Sequence, residues 1–343
     1  MVKNDWRIAL TYVGAIVGAG FASGQELTRF FVVFGGSGLL GIIIAGSIFA
    51  ILGAVVIDLA NRMESNDYGQ FLSFIFPLKF KVMVDVIIAF SLWVGLSVML
   101  IGSATLLEER FALKSEFGFI ITGLLVFLCL QFGSAGLLNA NTVLVPIMVV
   151  FAIGSSLIYI LNPVPCLSSE IFYRNLLPNW WSASLIYVAY NMILGIVVLA
   201  SVKDNKKKIT PWGGVWGGII LGIMSFIMVS ALQLLPGNLL ITEMPMLALT
   251  WSISPLVGNI YLISLWIAIF TTALANAHSL TARIKHSLHK PYRLILIISL
   301  LSTLVFIPWK FSTLVGLIYP VEGYLAIPII LAVIMAAVKA RAR

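Results

Sequence analysis

Ten apolar runs alternate with short polar stretches along the 343 residues, at roughly 6–32, 36–60, 82–107, 117–132, 140–161, 181–202, 212–235, 255–282, 292–308 and 312–338. A helix needs about 20 apolar residues to cross the hydrocarbon core of a bilayer. The pattern therefore predicts an all-α polytopic membrane protein of about ten transmembrane helices. The interrupted stretch from Pro236 to Pro255 reads as a connection with room for a short surface helix within 238–250. Composition agrees: 61% of residues are hydrophobic and 10% charged, with a mean hydropathy of +1.08. A soluble domain carries about 25% charged residues.

The first run departs from a simple lipid-crossing helix. Residues Val13 to Glu26 include Gly14, Gly18, Gly20 and Gly24 together with Ser23, Gln25 and Glu26. Each glycine costs about 1 kcal/mol of helix propensity relative to alanine. A glutamate at membrane depth costs about 2.5–3.5 kcal/mol on insertion scales. Irregular backbone at that depth is tolerated only where it is buried in protein or lines a wet cavity. The pairs Gly14–Gly18 and Gly20–Gly24 also suit close helix packing, but packing does not account for the polar residues among them. The segment is expected to line a site for an ion or a small polar solute. Its length and glycine content, with no A-x-A-like site after it, mark a retained span rather than a cleaved signal.

Charge fixes an orientation. With the N-terminus in the cytoplasm, sixteen of the twenty-one basic residues fall inside, including Lys3, Arg7, Arg62, Lys203, Lys206, Lys207, Lys208, Arg283 and Arg341; Arg29, Arg110, Lys114, Arg174 and Lys310 fall outside. The positive-inside rule then favours an even number of spans in the cell membrane with both termini cytoplasmic. The formal charge of +8 sits in short loops, so nucleic acid is not an expected partner; the partners are the lipid bilayer and a small-molecule solute, and no obligatory protein partner is evident. The basic stretch around His286 and His289, and Lys206–Lys208, are expected to face anionic headgroups. Cys129 and Cys166 are too far apart in pattern and context to suggest a disulfide or a cysteine metal site.

The two halves echo one another. Tyr12-Val13 is followed by Gly20, and 175 residues later Tyr187-Val188 is followed by Gly195 at the same spacing. Five spans per half places the second half upside down relative to the first, with residues 1–162 and 163–343 as the two repeats. Matching interruptions in two halves point to a transporter binding site. Five-plus-five inverted spans with broken first and sixth helices resemble the LeuT fold of the amino acid–polyamine–organocation superfamily. The string Gly18-Ala19-Gly20-Phe21-Ala22-Ser23-Gly24-Gln25-Glu26 resembles the bacterial YkvI-like membrane proteins within it.

That resemblance implies a sodium site between the first and eighth helices. Its donors would be the carbonyls of Gly14, Val17 and Ala268 and the hydroxyls of Thr271 and Thr272, because Ala268-Ile269-Phe270-Thr271-Thr272 fits the family's small-x-x-hydroxyl-hydroxyl pattern. A hard cation suits such neutral oxygens. A Thr-Thr pair in a span also serves simply to bond its own backbone or a neighbouring helix. The implied solute site comprises Ala15, Gly18, Ala19, Gly20, Ser23, Gly24, Gln25 and Glu26 in run one, Trp93 and Ser97 in run three, and Tyr190, Asn191 and Gly195 in run six. An unwound sixth helix would offer a half-helix N-terminus to a carboxylate, which favours an amino acid or similar solute. Ile193 stands where the family pattern has a glycine.

Three charged residues remain open in role. Glu26 balances a cationic substrate, accepts a coupling proton, or gates with Arg29, which shares its helix face at i+3. Glu322, between Pro320 and Gly323, suggests a local break, a gate or proton handling; pairing with a distant base is the plainer reading. Asp58 and Asp85 read as interfacial, and His278 as a helix–helix hydrogen bond. The leading expectation is a secondary transporter coupled to sodium, or to protons, with no organic cofactor. A channel or a receptor of the same architecture is the alternative. The sequence holds no H-E-x-x-H, no G-x-S-x-G and no large soluble region for cofactor chemistry, which argues against an enzyme.

Overall fold

The computed structural model describes residues 2–64, 68–131, 135–164, 177–201, 210–288 and 290–342. Cys166, Arg174, Lys203, Lys206, Lys207, Lys208 and His289 lie outside the described residues, as does the side chain of His286. The first run is α1 (Val2–Ile16), α2 (Ala19–Ala22) and α3 (Gln25–Phe30) in succession. Then come α4 (Gly36–Arg62), a short α5 (Tyr68–Ile75), α6 (Leu78–Phe111), α7 (Ser115–Gln131) and α8 (Ala135–Leu161). The second half holds α9 (Trp180–Ser201), α10 (Trp212–Gln233), α11 (Gly237–Leu240), α12 (Pro245–Ile253), α13 (Pro255–Leu288), α14 (Tyr292–Ser302) and α15 (Phe311–Ala342).

Each of the ten apolar runs thus corresponds to one span, with α1 to α3 forming the first. Six described helices are long and apolar enough to cross a membrane by themselves. The stretch after Pro236 holds two short helices rather than one, because Met244-Pro245 interrupts it; Pro245 sits in the first turn of α12, where a missing N–H costs nothing. Asp5 accepts a hydrogen bond from Thr210, and Arg341 reaches Asp58 at 3.2 Å. Both ends of the chain therefore lie on the same side of the bundle, as an even number of crossings requires.

One feature of the expected fold is different. Run six is not broken: α9 is helical without interruption from Trp180 to Ser201. Gly195 is its one glycine, and that glycine serves packing. A Cβ there would stand 3.1 Å from the ring of Tyr12. With Ile193 in place of the family's glycine, nothing in α9 frees its backbone, and no half-helix N-terminus is available to a carboxylate.

The most extensive helix–helix contact among the described residues is the α4–α10 seam. A Cβ on Gly218 would come 2.1 Å from the backbone N of Ala50, one on Gly214 2.3 Å from the carbonyl carbon of Gly53, and one on Gly46 2.8 Å from Cα of Gly222. Small residues let two backbones meet, which is the main source of helix association where lipid is as apolar as the side chains. The echoed tyrosines enter this seam at different points. Tyr12 packs against Gly53 and Gly217 and donates to the Phe49 carbonyl at 3.1 Å. Tyr187 lies edge-on to Phe49 and lines the space beside Gly46, Gly222 and Ser225.

Gly218→Ala is expected to cost about 1–3 kcal/mol, the usual range for overpacking, because rigid backbone meets the new methyl. Gly154→Ala, where a Cβ would find open space, should be neutral or stabilising by up to about 1 kcal/mol. Thermal melts of the two purified variants in one detergent check the contrast.

Candidate functional site

The first span stops being helical twice. At Val17-Gly18 the ladder lapses: the Val17 N–H still bonds Val13 O, but the Gly18 N–H turns back to Ile16 O at 2.9 Å. The next bond, from Ala22 N to Gly18 O, opens α2. The carbonyls of Gly14, Ala15 and Val17 consequently receive no i+4 N–H. The second lapse, which the sequence did not distinguish from the first, is at Ser23-Gly24. Gly24 takes φ +83°, a left-handed conformation that is natural to glycine and strained for other residues.

Neighbours satisfy the backbone freed at the second lapse. The Tyr261 hydroxyl of α13 donates to Ala22 O at 2.6 Å. The Met246 N–H of α12 donates to Ser23 O at 2.9 Å. The Ser23 hydroxyl turns to Gly20 O at 3.0 Å, and Gln25 Nε2 donates to Thr242 O, between α11 and α12, at 2.6 Å. The α11–α12 connection is therefore pinned onto the broken span, and Met246 covers Gly24 so closely that a Cβ there would lie 2.8 Å from its Cγ.

Glu26 is 3% exposed and sits at the heart of this region. Its carboxylate accepts a hydrogen bond from the Tyr190 hydroxyl of α9 and lies near the Phe21 backbone. The carboxylate occupies the place a Gly20 side chain would take: a Cβ on Gly20 would stand 2.2 Å from Glu26 Oε1. Gly20 is thus a slot for an acid, a role that composition alone does not reveal. Tyr190 stacks on Tyr319 of α15 at 4.9 Å and on Phe30 of α3 at 5.8 Å, and Tyr187 meets it edge-on at 5.7 Å. Glu322, one turn beyond Tyr319, is also buried and interacts with Ser91 of α6, Tyr319 and Glu26. Spans one, three, six and ten meet here.

The other expected residues divide. Thr271 is buried and donates to Ala268 O at 3.2 Å; α13 also packs against α2. Gly18 faces Met99 of α6 with room to spare: a Cβ added to it would have its nearest neighbour 3.9 Å away. Trp93 turns away from the cluster: its Nε1 donates to Ser302 Oγ at 2.8 Å and its ring packs on Phe306 at 5.0 Å. Ser97 bonds the Trp93 carbonyl on its own helix, and Asn191 bonds the Tyr187 carbonyl on its own helix. Arg29 lies along Gly316 of α15. His278 meets the Tyr292 hydroxyl at 3.0 Å, the helix–helix hydrogen bond expected of it. Asp85 pairs with Arg283, and Asp58 with Arg62 and Arg341. Among the described residues no group of three histidine, cysteine or acidic side chains is placed to hold a metal ion.

Tyr319, Tyr187 and Phe30 do not stand out as site residues in the sequence. A signal is nevertheless present, since Tyr187/Tyr190 and Tyr319/Glu322 are i,i+3 pairs that share helix faces.

No protein-family model matches the chain. Over 329 residues it is 27% identical to the membrane protein YkvI of Bacillus subtilis, covering 94% of this chain and 93% of that one. It is 25% identical over 327 residues to the Bacillus subtilis protein YyaD, with 93% and 94% covered. Among solved structures it is similar to a manganese transporter of Eremococcus coleocola, with a TM-score of 0.64, 16% identity, and 96% of this chain and 78% of that one covered. A Na+-coupled sialic acid symporter in a substrate-bound outward-open state gives a TM-score of 0.63 at 11% identity, with 93% and 77% covered. Inward-facing Mhp1 gives 0.55 at 16%, with 93% and 72% covered. The chain has the LeuT fold, a polytopic all-α membrane fold. Along its whole length it is similar to YkvI-like membrane proteins.

Gly20→Ala is expected to push the Glu26 side chain out of its slot while leaving the fold in place, because the clashing atoms are the far end of a flexible side chain. Its melting temperature should stay close to that of the parent protein, while solute-dependent stabilisation is lost; paired melts with and without an active solute measure both.

Proposed function

We propose that the chain is a secondary active transporter working by alternating access in the cell membrane, built as two five-helix repeats, 1–162 and 163–343, with both termini cytoplasmic. It is not an enzyme. Its solute is small, and the coupling cation is sodium, held by the carbonyls of Gly14, Val17 and Ala268 and the hydroxyls of Thr271 and Thr272. The observation that carries this reading is the lapse at Val17-Gly18. It leaves the carbonyls of Gly14 and Val17 without helical partners, and α13, which carries Ala268 and Thr271, packs against α2 just beyond it. Free carbonyls at membrane depth call for a cation, water or another donor. Sodium that binds one conformation better than the other shifts the balance between them, whereas equal affinity shifts nothing.

The solute contacts run-one backbone between Ala15 and Gly24 and the side chains of Glu26 and Tyr190. Because α9 is continuous, the part expected of Asn191 and Gly195 passes to the aromatic faces of Tyr190 and Tyr319. Trp93 and Ser97 support helix packing. The pinned α11–α12 connection acts as a cover on the side opposite the termini, and its release opens that side.

A proton-coupled version is favoured by one observation, the burial of Glu26 and Glu322 together. In it these carboxyls, rather than the run-eight hydroxyls, carry the coupling ion. The double variant Thr271→Ala, Thr272→Ala separates the two versions. In proteoliposomes it should raise the sodium concentration needed for half-maximal uptake about tenfold or more, equivalent to about 1.4 kcal/mol of lost ion binding, with an unaltered melting curve in sodium-free buffer. Unchanged sodium dependence would exclude the sodium site and favour coupling through the glutamates.

A further inference from the structure

We propose that the face formed by α7 and α14 is a docking surface for a locally thinned bilayer, with short-chain phospholipids as its preferred boundary lipids. The inference is independent of the solute and of the coupling ion.

Length is the first observation. α7 has 17 residues and, at about 1.5 Å per residue, reaches about 25 Å. α14 has 11 residues and continues through a four-residue 3-10 turn, Thr303–Phe306, for a joint reach of about 25 Å. The hydrocarbon core of a typical bilayer is about 30 Å thick, and tilt only lowers the depth that a helix covers. The helices behind them have no such deficit, since α6 and α13 have 34 residues each. Charge fixes the ends of the short pair. Lys114 and Glu116 flank the start of α7, and Arg293 and Lys310 bracket the ninth span; all four are exposed. Lysine and arginine reach past the hydrocarbon on long stems, but Glu116 has no such stem.

Placement is the second. α7 packs on α6 and α13, α14 packs on α13, the 3-10 turn packs on α6, and α7 touches α14. The deficit therefore falls on one patch of the perimeter rather than at scattered points. Its outward side chains include Ile120, Leu124 and Leu128 of α7 and Ile297, Leu301 and Leu304 of the ninth span, which are 40–58% exposed. A span that is too short is accommodated by thinning the bilayer, by snorkelling or by oligomerising. Close association of helices in lipid relies on small residues at the contact. This row is bulky, which favours lipid over a second copy of the chain. Spans four and nine also hold the same place in the two proposed repeats, so the shortening recurs at matching positions.

The test uses the full chain in phosphatidylcholine nanodiscs whose monounsaturated chains lengthen from myristoleoyl through palmitoleoyl, oleoyl and eicosenoyl to erucoyl. The melting temperature should be highest with palmitoleoyl or shorter chains and fall with each longer one. The triple variant Lys114→Leu, Glu116→Leu, Lys310→Leu lengthens the apolar part of both spans at their outer ends. Its optimum should move at least one step towards longer chains. A general effect of lipid fluidity would act on both proteins alike, so an identical optimum, or a parent protein most stable in oleoyl or longer lipid, would overturn the proposal. Cryo-EM maps of the parent protein in oleoyl nanodiscs give a second measure that does not depend on the variant folding. The two headgroup layers should approach one another by about 5 Å beside α7 and α14 relative to their separation beside α4 and α10. Layers of uniform separation, or a second copy of the chain seated on α7 and α14, would also overturn it.

Discussion

The first span cannot close its own hydrogen-bond ladder, and much of the structure answers that single deficit. Glycines at 18 and 24 make two lapses at membrane depth, where water is absent and an unmet peptide group costs several kcal/mol in lipid. At the second lapse the protein supplies its own partners: Tyr261 for Ala22, the Met246 amide for Ser23, and Thr242 for the side chain of Gln25. At the first lapse the carbonyls of Gly14, Ala15 and Val17 receive no i+4 N–H and no other donor among the described residues. One break is thereby structural, and the other is the one proposed to bind. That division gives the span a fixed upper portion, tied to α11 and α12, and a lower portion, α1, whose contacts run to α8, α9 and α10.

A second constraint is charge. Burying Glu26 and Glu322 in one cluster costs stability that a protein under selection for folding alone would recover by substituting glutamine or leucine. Gly20 is kept without a side chain where the Glu26 carboxylate sits, and Tyr190 points its hydroxyl at that carboxylate. Several elements are thus shaped around a buried acid. Strain and buried charge of this kind gather at functional sites. The glycine seam of α4 and α10 offers the opposite case: backbone meets backbone, and the close approach explains its small residues without any ligand.

Much of the architecture is legible in the sequence because lipid imposes a simple code. Ten spans and the lapse in run one follow from hydropathy and glycine placement, whereas the stretch after Pro236 reads as one surface helix and is instead two short helices, the second burying Met246, Leu247 and Leu249. The interior is less legible, for physical reasons. Gly195 and Gly20 occupy matching places in an internal echo, yet one receives the ring of Tyr12 and the other the carboxylate of Glu26; which neighbour fills a glycine's space is decided by a helix far away in sequence. The continuity of α9 is hidden because a lone glycine supports either a break or a packing notch. Depth along its span places Trp93 level with the site, but depth says nothing of direction, and its indole faces Ser302. Tyr319 escapes notice because a tyrosine in a span is ordinary until its stacking partner is known.

The open carbonyls of the first span form the receiving end of the proposed ion site. Density maps of the protein prepared in sodium and in potassium test this directly. A compact peak is expected in sodium and not in potassium, within about 2.3–2.6 Å of the Gly14 and Val17 carbonyls by analogy with other hard-cation sites. A first span that runs as one unbroken helix through residues 17 and 18, or identical maps in the two salts, would contradict it.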